Sequence, residues 1–240
     1  MLQRYLIAGL KVEMNAQHQT LISRSEKYRR SFSGEPDIII DPDPEKFHMV
    51  CESNPAMSVD LLEYMCTGSI FYYKLLKFDG FMLHSSTIAK DGKAYIFSAD
   101  SGTGKSTHTK LWMKYIDGVT MINDDKPAIR LIDGRFYAVG TPWSGKDDQN
   151  EDTAVPVGGL VMLNRGKINT IRPASPLETV PFLLRQTMFP TKSENTELLT
   201  GLLDKFLTVT PAFRLECDIS EEAVKTSFEA LTGKKYIKRK

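Results

Sequence analysis

The chain has 240 residues, of which 41% are hydrophobic and 25% are charged, and 31 basic against 30 acidic side chains leave a net charge of +1. This is the composition of a globular protein with one sizeable core, and it gives no reason to expect binding to nucleic acid or to an anionic membrane. The three cysteines form no C-x-x-C pair, so neither a zinc site nor a disulfide framework is indicated, and we expect a cytoplasmic protein. The most apolar stretch, SIFYYKLLKFDGFML, is too short and too charged to span a bilayer, and the N-terminus does not resemble a signal peptide.

The first third of the chain predicts strands and a helix. Residues 4–14 alternate as a strand does, and Ile38–Ile40 form a short strand that ends at two Asp-Pro turns. Ser58 is a suitable N-cap for a helix in SVDLLEYM, where Leu61, Leu62 and Met65 share one face.

Hairpins dominate the middle of the chain. Asp91-Gly92 and Asp133-Gly134 each separate two alternating segments and suit type I′ turns. GGLVMLNRGKINTIRP predicts a third hairpin that turns at residues 164–167. Helices are predicted over 104–116, 176–188, 195–208 and 221–232, the last capped by Ser220 and ended by Gly233.

These elements predict an α/β fold around a mixed, largely antiparallel sheet. We expect a single domain over residues 1–240, with N-terminal strands and a helix in 1–75, the central part in 76–165 and a mainly helical part in 166–240.

The segment ADSGTGKST follows an apolar strand and precedes a predicted helix. It fits the phosphate-binding pattern G-x-x-x-x-G-K-[ST], except that Ala99 replaces the first glycine. Gly102 and Gly104 allow successive amides to point into one concavity, Lys105 can reach the β- and γ-phosphates, and the hydroxyl of Ser106 can hold Mg²⁺. The predicted nucleotide-binding residues are Asp100, Ser101, Gly102, Thr103, Gly104, Lys105, Ser106 and Thr107. The alternative is a surface turn of small residues that carries an ordinary lysine.

Counting outward from the hairpin turns predicts which further residues lie near this loop. Two-residue turns place His84 opposite Ala99, Asp124 opposite Trp143 and Asp125 opposite Pro142. The segments INDDKP and TPWSGK should therefore meet, although prolines and bulges shift such a register by a residue or two.

Asp124 and Asp125 follow an apolar strand, and adjacent residues on a strand point to opposite faces. One carboxylate could therefore face a metal and the other an attacking hydroxyl, whereas the alternative is a pair that caps a turn. Lys146 could reach a phosphoryl group in transfer, and Trp143 is either an anchor or a core residue. We interpret His18, His48 and His108 as structural.

The stretch LHSSTIAKDGKAYIFSADSGTGKST, followed by INDD, resembles the catalytic domain of HPr kinase/phosphorylase and its relatives, which share the fold of phosphoenolpyruvate carboxykinase. The resemblance implies that Lys105 and Ser106 serve ATP and Mg²⁺. It also implies that Asp124 is the general base, supported by His84, and that Asp125 lies near the metal. The chain departs from the family at Ala99, and the Gly- and Arg-rich signature that follows the Asp pair is not present.

The sequence therefore predicts an ATP- and Mg²⁺-dependent kinase that phosphorylates a hydroxyl, and a serine of a protein or peptide is the expected acceptor. A small-molecule alcohol is another acceptor, and homo-oligomers, which the family forms, are possible. The alternatives are a nucleotide-binding regulatory module without chemistry, and a carboxykinase-like enzyme that acts on a small carboxylated phosphate donor.

Overall fold

The computed structural model describes residues 2–239. Within this range the strands are β1 Gln3–Ile7, β2 Leu10–Met14, β3 Ile38–Ile40, β4 Gly80–Met82, β5 Ser85–Lys90, β6 Lys93–Ser98, β7 Thr120–Asn123, β8 Ala128–Ile132, β9 Arg135–Val139, β10 Ala154–Arg165, β11 Thr170–Pro173 and β12 Ala212–Cys217. The helices are α1 Gln19–Ser25, α2 Pro44–Ser53, α3 Val59–Leu75, α4 Lys105–Tyr115, α5 Pro176–Gln186, α6 Ser193–Val209 and α7 Glu221–Thr232.

The fold is mixed α/β, and its main sheet is mixed. A small sheet has the order β1-β2-β3, and the large sheet has the order β4-β8-β9-β10-β6-β5-β7, with β12 beside β10 and β11 beside β12. β10 is parallel to β6 and β12 but antiparallel to β9, so one long strand joins the hairpin region to a parallel region. The carboxyl ends of β6, β10 and β12 consequently lie at one edge, the place where α/β sheets usually bind ligands.

Two of the three predicted hairpins are confirmed. β5 and β6 pair from Lys90↔Lys93 to Ser85↔Ser98, and β8 and β9 pair from Ile132↔Arg135 to Ala128↔Val139. Both turns contain an aspartate and a glycine with positive φ, which a type I′ turn requires.

The third predicted hairpin is wrong, because β12 lies between β10 and β11. β12 pairs with β10 in parallel and with β11 antiparallel. The burial of each strand explains this choice. β12 buries Leu215 and Cys217, whereas β11 is largely exposed and suits the outer edge of a sheet.

The predicted strand over residues 4–14 is in fact a hairpin. Ala8 and Gly9 have φ of 53° and 75° and reverse the chain between β1 and β2. The sequence did not reveal this turn, because an alanine rarely adopts positive φ and the segment reads as one continuous strand.

The helices predicted over 104–116, 176–188, 195–208 and 221–232 begin and end within two residues of these bounds. The helix predicted in SVDLLEYM continues to Leu75, and α1 and α2 were not predicted. Ser58 and Ser220 accept hydrogen bonds from backbone amides in the first turns of α3 and α7, and Gly233 ends α7 with a φ of 68°. None of the helices within residues 2–239 is long and apolar enough to cross a membrane.

The packing of α3 holds the N-terminal sheet against the rest of the fold. Trp143 is 1% exposed and stacks on Phe71 of α3 at a ring distance of 4.8 Å. A Cβ at Gly68 would lie 2.8 Å from Cδ1 of Trp143, so only glycine allows this close approach. Of the two interpretations of Trp143, the structure supports a core residue.

Candidate active site

Residues 99–104 form the loop that connects β6 to α4. Gly102 and Gly104 have φ of 77° and 119°, which non-glycine residues resist. Ala99 is buried and is not among the residues of 2–239 with positive φ. The first position of the motif therefore does not require glycine in this chain, which explains why alanine is tolerated there.

Lys105 begins α4 beneath this loop. Its Nζ donates a hydrogen bond to the carbonyl of Ala99 at 2.9 Å, so the side chain folds back along the loop. Burial lowers the pKa of Lys105, although Asp125 and Asp100 act in the opposite direction. A buried ammonium group at the start of a helix provides a positive site that an anion would complete.

Lys105 and Ser106 face a cavity of about 620 Å³ that also contains the acidic pair. We call it the carboxylate cavity. Predicted site residues that line it are His84, Ser101, Gly102, Lys105, Ser106, Asp124, Asp125 and Lys146. These residues come from the loop before α4 and the start of α4, from the β4–β5 and β7–β8 connections and from the segment after β9, so the fold brings together residues that are distant in sequence.

Asn123 turns the chain at the end of β7, just before the acidic pair. Its Oδ1 accepts hydrogen bonds from the amides of Asp125 and Lys126, and its Nδ2 donates to the carbonyl of Thr141. The asparagine thus bends the backbone out of the sheet and ties it to the facing segment. Sequence reasoning missed this role, although an asparagine before a turn is a recognisable signal.

The segments INDDKP and TPWSGK do meet, but not through strand pairing. The β8–β9 ladder ends at Ala128↔Val139, so the predicted pairing of Asp124 with Trp143 and of Asp125 with Pro142 is wrong. Instead, Oδ1 of Asp124 accepts a hydrogen bond from the amide of Gly145. Pro127 lacks the N–H that a continued ladder would need.

His84 contacts Asp125, not Asp124 as the resemblance implied. Its Nε2 lies 3.2 Å from Oδ1 of Asp125, and Nζ of Lys126 forms an ion pair with Oδ2. Burial alone would raise the pKa of Asp125, but the hydrogen bonds and charges of His84 and Lys126 lower it to about 2. Asp125 is therefore ionised at neutral pH.

Asp124 is in a different environment. It is 5% exposed, and burial together with the charge of Asp125 raises its pKa despite the hydrogen bond from Gly145. The two adjacent carboxylates thus differ in burial, partner and charge, as groups with different tasks do.

Gln186, at the end of α5, joins His84 to the loop. Its Oε1 lies 3.1 Å from Nδ1 of His84, and its Nε2 donates to Oδ1 of Asp100 at 2.8 Å. The amide orientation follows from chemistry, because only the NH₂ group can donate to a carboxylate. Oε1 consequently faces the imidazole and accepts a hydrogen bond from its Nδ1–H. Nothing in the local sequence pattern distinguishes Gln186 from other helical glutamines.

The other predicted residues have varied positions. Lys146 is exposed at the wall of the carboxylate cavity. His108 is 3% exposed, and its Nε2 lies 3.0 Å from Oγ of Ser227, which agrees with a structural role. Nδ1 of His18 lies 3.3 Å from Oε2 of Glu63, and Nε2 of His48 lies 3.3 Å from Oε1 of Glu52, both outside the cavity.

A second cavity of about 420 Å³ lies on the other side of the loop, and we call it the loop cavity. Its lining includes Thr103 of the loop, Thr107 and Leu111 of α4, Arg165 at the end of β10 and Ile219 after β12. Arg165 donates hydrogen bonds to the carbonyls of Gly102 and Thr103 and so fixes the loop from outside. Arg165 was not expected from the sequence, because its place beside the loop depends on the parallel pairing of β10 with β6.

Within residues 2–239, no group of three or more His, Cys, Asp or Glu side chains is arranged to hold a metal ion by itself. Ser106 and Asp124 nevertheless place a hydroxyl and a carboxylate in the same cavity. Oxygen donors of this kind suit Mg²⁺ when substrate phosphates supply further ligands. The donor set therefore fits a magnesium–nucleotide complex.

Comparison with known proteins gives likenesses to solved structures. No family model matches the chain, and no curated protein matches it. Among solved structures, the HPr(Ser) kinase/phosphatase from Coxiella burnetii is similar, with a TM-score of 0.35 and 11% identity, over 63% of this chain and 93% of that chain. A likeness at this level says nothing about activity, which has to be argued from the site.

Proposed function

We propose that the protein is a kinase that transfers the γ-phosphoryl group of ATP, with Mg²⁺, to the hydroxyl of an acceptor. The observation that carries this proposal is the shared cavity of Lys105, Ser106 and the Asp124–Asp125 pair, beside a loop with two positive-φ glycines. A cradle for phosphate and an ionised carboxylate at one cavity are what phosphoryl transfer to a hydroxyl requires.

The two cavities suggest the direction in which the nucleotide lies. The carboxylates line one side of the loop, whereas Thr107, Leu111 and Ile219 line the other. With the phosphates along the loop and the γ-phosphate towards the carboxylates, the nucleoside extends into the loop cavity. The acceptor then enters the carboxylate cavity from the opposite side.

The chemical roles follow from the contacts of each side chain. Asp125, held by His84 and Lys126, would accept a hydrogen bond from the acceptor hydroxyl, orient it, and take its proton as the phosphoryl group is transferred. Lys105 and Lys146 balance negative charge on the transferring group. Ser106 and Asp124 would hold Mg²⁺, which supplies charge neutralisation on the phosphates. This assignment exchanges the roles that the resemblance implied for the two aspartates, because the histidine lies on Asp125.

A screen with radiolabelled ATP against serine peptides and small alcohols tests the proposal, with ATP affinity measured in parallel by calorimetry. We expect transfer that requires Mg²⁺. In Asp125→Asn, transfer should fall by about 10²- to 10⁴-fold while ATP still binds. In Asp124→Asn, the dependence on Mg²⁺ concentration should change as well.

Two results would contradict the proposed kinase function. If ATP binds but neither aspartate substitution changes any measured activity, the chain is a nucleotide-binding regulatory module. If millimolar Mg²⁺ and ATP give no binding heat, the loop is an ordinary turn and the proposal fails.

A further inference from the structure

An apolar groove lies between α2 and α3, outside the carboxylate cavity. It has a volume of about 480 Å³, and its lining includes Phe47 and Val50 of α2, Met57 of the connecting turn, and Cys66 and Ile70 of α3. α2 has no fully buried residue, although it carries these apolar side chains on the face towards α3. The groove is therefore an open apolar surface between two helices.

The groove is continuous with the carboxylate cavity. Met65 and Ser69, one helical turn apart on α3, line both. Met65 is 49% exposed, and its neighbour Leu61, on the side of the carboxylate cavity, is 41% exposed. α3 thus forms a low ridge, and a bound chain can cross it from the groove to Asp125.

We infer that the phosphoryl acceptor is a polypeptide whose apolar side chains occupy this groove while its hydroxyl-bearing residue enters the carboxylate cavity. The inference rests on the proposed function, and it selects a peptide over a small alcohol. A small alcohol fills the carboxylate cavity alone and leaves the adjoining groove without a role. A peptide carries both the hydroxyl and apolar groups at a fixed spacing along one chain.

The side chains of the groove suit such a partner. Met57 and Met65 are flexible and polarizable, so they adapt to apolar side chains of different shape. The charged side chains that line the groove are one acid and one base, Asp43 and Lys46. We therefore expect selection for apolar residues near the acceptor serine and no strong selection for charge.

A positional-scanning library of serine peptides, phosphorylated with radiolabelled ATP and Mg²⁺, tests the inference. The wild-type protein should prefer Leu, Met or Phe at one fixed distance from the serine. For the preferred peptide, Val50→Asp and Phe47→Asp should each lower kcat/KM by about tenfold or more, because a charge replaces an apolar wall. Met49→Asp is the matched control. Met49 lies next to Val50 on α2, is 63% exposed and is not among the groove residues, so this substitution should leave kcat/KM unchanged.

Further measurements distinguish a loss of peptide binding in the groove from a loss of ATP binding and from misfolding of a variant. Fluorescent-ATP titration should give the same affinity in all variants, and circular dichroism should give the same spectrum. Anisotropy of the preferred peptide with alanine in place of serine should show weaker binding to Val50→Asp than to Met49→Asp.

The inference is overturned if library peptides are phosphorylated without any apolar preference, or if Val50→Asp and Met49→Asp behave alike. If the protein phosphorylates small alcohols but no peptide, the inference is also overturned, whereas the proposed kinase function is supported. If no variant binds ATP, the proposed function itself fails.

Discussion

Nε2 of His84 lies 3.2 Å from Oδ1 of Asp125, while the neighbouring Asp124 is held by the amide of Gly145. This contact gives Asp125 a partner that Asp124 lacks, and the sequence alone could not distinguish the two carboxylates. It makes His84 a residue that orients Asp125, and it gives Asp125 the more exposed, ionised position of the pair.

His84→Gln should lower kcat for phosphoryl transfer by about 10- to 100-fold, the range found when an orienting partner of a directly acting group is lost. ATP affinity should stay within about twofold, because the side chain of His84 contacts Asp125 and Gln186. Steady-state kinetics and calorimetry check both values. His48→Gln, at an exposed position on α2, is the control and should have no effect. An unchanged kcat in His84→Gln would show that the contact does not matter for transfer.

Gln186 should act through His84 and Asp100. Gln186→Glu keeps an acceptor for His84 but places a carboxylate against Oδ1 of Asp100, and like charges at that distance repel. We therefore expect a larger loss of kcat in Gln186→Glu than in Gln186→Leu, which removes both hydrogen bonds without adding charge. Arg185→Gln, one residue earlier and exposed, is the control. Equal losses in the two Gln186 variants would contradict a role for the contact with Asp100.

We expect the loop cavity to bind the nucleoside part of ATP and not its phosphates. Calorimetry should give tighter binding for ATP than for inorganic tripolyphosphate. Ile219→Ser should reduce ATP affinity by about tenfold, because an apolar wall is lost, and should leave tripolyphosphate binding unchanged. Ile168→Ser is the control, since Ile168 is 75% exposed and is not among the residues that line the cavity. Equal affinity of the wild-type protein for both ligands would place the nucleoside elsewhere.

Two glycines should respond to alanine in opposite directions. Gly68→Ala should lower the free energy of unfolding by about 1–3 kcal/mol, because the new Cβ would lie 2.8 Å from Trp143. Gly201→Ala, in α6 where no heavy atom lies within 4 Å of the new Cβ, should raise it by about 0.5–1 kcal/mol. Urea denaturation measures both. A stabilising Gly68→Ala would show that α3 does not pack on Trp143 as described.

The three cysteines should differ in reactivity. Burial, with the nearby charge of Asp218, raises the pKa of Cys217 to about 11, and the side chain is 7% exposed. Only about one thiol in a thousand is then ionised at pH 8, so iodoacetamide should modify the half-buried Cys51 and Cys66 and spare Cys217. Mass spectrometry of peptides from native and urea-unfolded protein checks this order. Because the pKa is raised, the thiolate of Cys217 becomes abundant only as the pH approaches 11. Modification of Cys217 in the native state at the rate of Cys51 would contradict its burial.

Local patterns in the sequence predicted much of the fold. The Asp-Gly turns predicted both central hairpins and their register, since a two-residue turn fixes which residues pair. Ser58, Ser220 and Gly233 marked helix ends because caps act on amides and carbonyls within one turn. The positive-φ positions Gly102 and Gly104 followed from the motif in the same way.

What the sequence could not determine depends on residues that are far apart along the chain. By itself it determined the two Asp-Gly turns, the caps at Ser58, Ser220 and Gly233, and the positive φ of Gly102 and Gly104, because short-range sterics and hydrogen bonds decide them. Only the tertiary structure decided that β12 separates β10 from β11, that His84 faces Asp125, and that Gln186 of α5 reaches both His84 and Asp100. Strand order and long-range contacts are decided by the burial of whole faces in one core, and no local pattern carries that information.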